Sequence, residues 1–306
     1  MEVSVIICTH NPPAHFLRRV LESLRNQTLP VGQWELLVID NASQELLTAE
    51  TCDLSWHPRA RIVREEELGL SAARMRGMRE ATTALLVFVD DDNVLAPDYL
   101  AEALKIGREW PQLGVWGGSI VPEFEVEPPE HLKEFTGCLA LREIKTPRWS
   151  NVMTCSDAEP WGAGLCARAT VAAEYRLINE RSSIQLADRI SGKSLVSGGD
   201  TEICFTACTL GLGMGLFPNL QVTHLIPRER INENYLVQIC EGIQISVFLV
   251  GYKWRGVFPD SPFSGAGWLR IIKNLFIKRG MQRRMYLAEL RAAAQARRII
   301  EANSQK

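Results

Sequence analysis

The sequence predicts an α/β fold: a mixed, mainly parallel sheet flanked by helices, with a helical extension at the C-terminal end. Three observations predict it. Over the first ninety or so residues, short apolar runs alternate with helical patterns, the mark of a parallel sheet with helices on its faces. Polar clusters stand at the ends of three of those runs, at residues 9–11, 40–43 and 90–93, where open parallel sheets bind ligands. Beyond residue 231 the apolar spacing is helical almost throughout.

Each element follows from its local pattern. Residues 3–8 are nearly continuous, apolar and rich in β-branched side chains, as a strand buried on both faces requires. A loop with Pro12 and Pro13 comes next, then a helix over 15–26 with Phe16, Leu17, Val20, Leu21 and Leu24 on one face. A second strand spans 34–39 and ends in a turn with capping residues, Asp40 to Ser43. A third strand is expected at 60–63, a helix over 69–81 and a fourth strand at 84–89, stopping at Asp90-Asp91-Asp92-Asn93. Residues 122–129, rich in proline and acid, read as a loop, and the polar stretch 142–157 as a long loop. Helices are expected at 201–210 and 231–250, with one or two more in 268–300. The expected division is a first half that carries the rim (1–95), a second half (96–235) and a basic helical extension (236–306).

Composition is that of a globular chain, with 306 residues, 46% hydrophobic and 23% charged. No stretch approaches the ~20 apolar residues of a membrane span, the longest candidate being 243–250 with Gln244 and Ser246 inside it, and Glu2 stands where a secretory signal carries positive charge. The expectation is a cytoplasmic protein. Eight cysteines form no C-x-x-C pair, which argues against a zinc or redox motif and for buried small side chains. Residues 251–306 carry twelve Lys or Arg and three acids, a net +9 against −11 for the rest. Such a tail calls for an anionic surface. It is read either as a basic amphipathic helix on a membrane, with Trp268 and Phe276, or as a helix that packs on the acidic body or forms a homodimer. The acidic body excludes a nucleic-acid partner.

Several clusters carry chemistry. Adjacent carboxylates repel unless a cation or an exposed turn relieves them, so Asp90, Asp91 and Asp92 read either as a Mg²⁺ or Mn²⁺ site or as a solvated cap of the next helix. Gly198-Gly199-Asp200-Thr201-Glu202 reads as a turn whose glycines let backbone pass close to a ligand, or as a helix start that Asp200 caps. Arg74, one turn into a helix that starts Gly69-Leu70-Ser71, can meet a phosphate or lie on the surface. His224 is a metal or phosphate ligand or a structural histidine, and Trp161, in Trp161-Gly162-Ala163-Gly164, an exposed aromatic platform or a core residue.

The order and spacing of six segments resemble glycosyltransferase family 2: VSVIICTHN, LLVIDNAS, GLSAARMRG, LLVFVDDDNVLAPDYL, SGGDTEICFTACTLG and VTHLIPRER. The resemblance covers about residues 3–235, with Met75 and Gly199 departing from the usual Asn and Glu of the family's segments. It implies a GT-A, Rossmann-like fold, with 1–95 the nucleotide-sugar-binding half and 96–235 the acceptor-binding and catalytic half, and an inverting transfer from a nucleotide-sugar donor, UDP-linked by preference, dTDP- or GDP-linked otherwise. It implies that Asp40 and Thr9 bind the base, with Asn11 and Arg74 nearby. It also implies that Asp91 contacts ribose within the donor set that includes Asp90. Asp92, with His224, would hold Mn²⁺ or Mg²⁺ on the diphosphate, and Asp200 would be the general base. Trp161 and Glu202 fall to the acceptor side, the acceptor being a glycan or lipid-linked saccharide of cell-surface polysaccharide synthesis. A processive synthase would need a Q-x-x-R-W segment, which is not in the sequence. The rival reading is a non-catalytic nucleotide-sugar-binding regulator or scaffold, which would not use Asp200.

Overall fold

The computed structural model describes residues 1–154, 156–181, 196, 198–259 and 267–304. They form two compact units. The first comprises residues 1–125, 140–154, 156–181 and 199–226, the second residues 126–139, 196, 198, 227–259 and 267–304. The strands are β1 (Val3–Thr9), β2 (Trp34–Asn41), β3 (Ala60–Glu65), β4 (Leu85–Asp90), β5 (Asn93–Leu95), β6 (Leu113–Phe124), β7 (Arg148–Ser150), β8 (Cys166–Arg168) and β9 (Gly213–Ile226). The helices are α1 (Ala14–Arg25), α2 (Leu70–Glu80), α3 (Tyr99–Glu109), α4 (Glu130–Lys133), α5 (Ala169–Arg181), α6 (Gly199–Thr209), α7 (Glu233–Arg255), α8 (Gly267–Ile277) and α9 (Gly280–Ser304).

The first unit holds one sheet in the order β3-β2-β1-β4-β8-β6-β9-β5, with β7 on β9. Strands β1 to β4 are mutually parallel, β8 is antiparallel to β4 and β6, and β6 runs parallel to β9. The mixed, helix-flanked sheet and the helical C-terminal part are thus as the sequence predicts. Alternation explains the continuous apolar runs. Val3, Val5, Ile7, Leu36, Val38, Val87 and Val89 pack in one core with Leu17, Val20 and Leu24 of α1 and Leu100 and Ala103 of α3. Ile6, Leu37, Ile39 and Phe88, at the intervening positions, are also buried. There α2 presses so close that a Cβ on Gly77 would lie 2.4 Å from Ile6 Cγ2.

Two expectations need correction. Residues 142–157 are not one long loop. Arg142 bridges Ile120 in antiparallel fashion, and β7 pairs with β9. A strand recruited through backbone hydrogen bonds, with Arg148 and Trp149 exposed, needs no apolar alternation. Residues 122–124 likewise continue β6 along β9 rather than opening the following loop. Both partners are rich in glycine, which hides them from a strand pattern. The glycine at 118 is obligatory, because an added Cβ would sit 1.9 Å from the Leu220 carbonyl oxygen. The register slips at that point, and Pro218, which has no amide to donate, falls in the slip.

In the second unit α7 runs alongside α9, and Arg284 and Arg291 of α9 pair with Glu233 and Glu241 of α7. Asn232 caps α7, its Oδ1 accepting the Tyr235 amide at 2.9 Å, and Gly256 ends the helix at φ 66°. By length and composition α7 is long and apolar enough to cross a membrane, with a mean hydropathy of 1.4 over its best window, half of it buried in the fold. The sequence reading finds no such stretch, taking residues 243–250, with Gln244 and Ser246 among them, as the longest apolar candidate; half-burial of the helix is also what a core helix shows. Gly280, at φ 51°, opens α9 two residues after α8 ends.

Candidate active site

Because β1, β2 and β4 are parallel and adjacent, their carboxyl ends form one rim. Thr9 lies opposite Asp40, and Cys8 opposite Asp90. Side chains stitch the loops beyond it. The Thr9 hydroxyl donates to the Asp91 carboxylate. The Asn11 amide donates to Ser43 Oγ at 2.9 Å, and Asn11 Oδ1 accepts the Gln44 amide at 2.8 Å. Asn11 adopts φ 49°, a conformation Asn tolerates better than most residues. Asn41 accepts the Gly69 amide at 2.8 Å, which ties the start of α2 to the same rim.

Asp40 is buried and ion-paired with Arg64 at 2.8 Å. Burial acts to raise its pKa. The Ser43, Arg64 and Leu47 hydrogen bonds outweigh that and hold the carboxyl below its ordinary value. Asp40 therefore organises the 41–47 loop with Arg64, a partner that no spacing in the sequence announces.

The aspartate turn is shaped by the short strand beyond it. Strand β5 pairs antiparallel with β9 and sets Asn93 opposite His224. This brings His224 Nε2 within 3.4 Å of Asp92 Oδ2, both side chains nearly buried. Asn93 Nδ2 donates to Asp92 Oδ1 at 2.9 Å, fixing the carboxylate plane. Among the described residues no group of three or more His, Cys, Asp or Glu gathers as a closed metal cage. The pair fits a Mn²⁺ or Mg²⁺ ion that takes its other ligands from a diphosphate and water, since one carboxylate and one imidazole suit an open site for a hard to borderline ion. Asp90 and Asp91 beside it are partly exposed.

Asp200 stands in the first turn of α6. Its Oδ1 accepts the Thr201 amide at 3.0 Å and its Oδ2 the Gly162 amide at 2.9 Å. Gly162 is where the two halves of the site meet. A Cβ there would lie 2.3 Å from Arg74 Nη2 and 3.7 Å from Asp200 Oδ2. Arg74, buried on α2, is thus brought against the glycine that positions Asp200. Around them stands a group that sequence reasoning missed. The Arg142 guanidinium stacks 3.2 Å from the centroid of the Trp161 ring and donates to the Glu159 carbonyl at 2.6 Å. Glu159 accepts the Thr201 hydroxyl at 2.5 Å. Burial, aided by the negative Asp200, pushes the Glu159 carboxyl up to about 7 against the pull of Thr201 and Arg142. Burial pushes Arg142 down to about 10. The sequence singled out the adjacent segment 161–164, but nothing in it pointed to Glu159 or linked Arg142 to it. Glu202 is buried within α6.

Residues 4–156, half of the chain, match the sequence model of glycosyl transferase family 2. The chain belongs to that family. The matched span holds the family-2 rim and aspartate turn and stops before Trp161, Asp200 and His224. The chain is 28% identical over 106 residues to the putative glycosyltransferase EpsH of Bacillus subtilis, covering 34% of this chain and 29% of that one. It is 33% identical over 92 residues to the glycosyltransferase AglE of Haloferax volcanii, covering 29% and 30% respectively. The chain thus spans about a third of the length of these relatives. Among solved structures, S. aureus TarS 1-349 in complex with UDP superposes with a TM-score of 0.51 at 11% identity, over 99% of this chain and 92% of that one. At that identity the likeness is one of fold.

Proposed function

We propose that this protein moves a single sugar from a nucleoside-diphosphate sugar to a hydroxyl acceptor by metal-assisted direct displacement, with inversion, on a sheet of the GT-A type. The observation that carries the reading is the convergence of Arg74 and Asp200 on Gly162, close to a rim that also bears the Asp92–His224 pair. A phosphate-binding cation and a carboxylate that can take a proton then serve the two ends of one reaction.

In this reading Thr9, Asn11 and the loop held by Asp40 and Arg64 receive the base, and Asp90 and Asp91 the ribose side. Arg74 faces the phosphates. Asp92 and His224 would hold the divalent ion, which when bound offsets the charge gained by the leaving diphosphate. Asp200 accepts the proton of the acceptor hydroxyl as that oxygen attacks the anomeric carbon, and the carbon–phosphate-oxygen bond breaks on the opposite side. The Gly162 amide and the Thr201 amide hold Asp200 in the aim this requires. Trp161, clamped under Arg142, offers a ring for the acceptor sugar. The TarS complex with UDP supports a uridine donor. A glycan or lipid-linked saccharide is the acceptor class that suits single-sugar transfer.

The test is Asp200→Asn. Release of nucleoside diphosphate in the presence of acceptor should fall by ~10²–10⁴-fold, the usual contribution of a general base, while donor affinity stays within about twofold. Normal turnover in this variant would overturn the assignment and favour a binding protein without catalysis.

A further inference from the structure

The exposed face of α8 is the strongest unassigned surface. Trp268, Leu269, Ile272 and Phe276 are all exposed, Phe276 at 81% and Trp268 at 51%. At 3.6 residues per turn these four fall within an arc of about 100°, while Ile271, away from that arc, is buried. Lys273, about 40° beyond the edge of that arc, and Arg270, about 100° beyond it, are exposed too. Between residues 267 and 288 the sequence has six Lys or Arg and no Asp or Glu. The neighbouring helix differs, since Arg284 and Arg291 of α9 are committed to Glu233 and Glu241 of α7.

We propose that α8 is an interfacial docking helix for an anionic lipid surface. It would lie in the membrane plane with Trp268, Leu269, Ile272 and Phe276 at the acyl boundary and with Arg270 and Lys273 on the headgroups. The chemistry selects this occupant. Large aromatic and aliphatic side chains on one arc, with one cation near its edge and a second toward the opposite face, match the depth profile of a bilayer interface. A second copy of the chain fits poorly, because a two-fold contact through α8 would gather the cations of both copies at one interface, and residues 267–288 offer no acid to pair with them. The proposal rests on α8 alone and holds whatever the donor or acceptor.

Co-sedimentation of the full chain with vesicles tests it, comparing phosphatidylglycerol-containing with pure phosphatidylcholine membranes. The chain should bind the anionic vesicles, and weaken with salt as an electrostatic contribution does. Arg270→Gln with Lys273→Gln should weaken binding about 25-fold, at roughly fivefold per cation near a charged surface. Trp268→Ser with Phe276→Ser should abolish it. All four residues are exposed, so thermal unfolding and nucleotide binding should not change in either variant, which separates this result from the donor-site reading. No binding to anionic vesicles overturns the proposal. So does binding that neither variant weakens, or concentration-dependent self-association that the Trp268→Ser, Phe276→Ser variant dissolves.

Discussion

At the scale of single residues, the site depends on an absent side chain as much as on those present. Gly162→Ala would push a methyl to 2.3 Å from Arg74 Nη2. The arginine head is the softer partner and must move. Donor binding should weaken by roughly 10-fold, at a stability loss within the ~1–3 kcal/mol of ordinary overpacking. Calorimetric titration of the nucleotide reads this directly, and an unchanged affinity would mean that Arg74 does not face the phosphates. Glu159 gives a second prediction. Its pKa rises from 4.5 to about 7 on folding, so between those values the folded state holds a proton that the unfolded chain has released. Stability must then fall as pH rises through that window, and the loss is complete above it. Glu159→Gln should flatten this slope, melting higher than the parent at about pH 8 and close to it at about pH 5. Identical pH profiles would show that the carboxyl ionises normally. Neither Glu159 nor Arg142 was legible in the sequence, because a carboxylate raised by burial looks like any other glutamate until its surroundings are known.

At the scale of elements, the strands that sequence patterning finds are those buried on both faces. Strands β1, β2 and β4 carry unbroken apolar runs because α1 and α3 cover one face while the intervening residues are buried on the other. Strands β6, β7 and β9 escape that logic. Their pairing is decided by backbone approach, glycines and a register slip, none of which leaves an alternating pattern. Gly118→Ala tests how tight that approach is. With the Leu220 carbonyl oxygen 1.9 Å from the added carbon, backbone must yield, and the loss should reach ~3 kcal/mol or more. Denaturant unfolding measures it. A cost under about 1 kcal/mol would show that β9 relaxes at the slip.

At the scale of the molecule, the donor reading predicts linkage between ligand and fold. A nucleoside diphosphate at 100 times its Kd should stabilise the protein by about 2.7 kcal/mol. His224→Ala should remove the part of that gain that depends on Mn²⁺ or Mg²⁺ and spare the rest. A metal-dependent gain undiminished in His224→Ala would remove the histidine from the ion site. The sequence by itself determined the parallel half of the sheet and the polar clusters along its rim, since local apolar runs and loop positions decide both. It also determined the family, through ordered segments. Only the tertiary structure decided what meets what. It closed His224 onto Asp92 through the β5–β9 pairing, brought Arg74 to Asp200 at Gly162, paired Asp40 with Arg64, and left one face of α8 uncovered. These contacts join residues far apart in the chain, and their energies depend on burial and on geometry that no local pattern encodes.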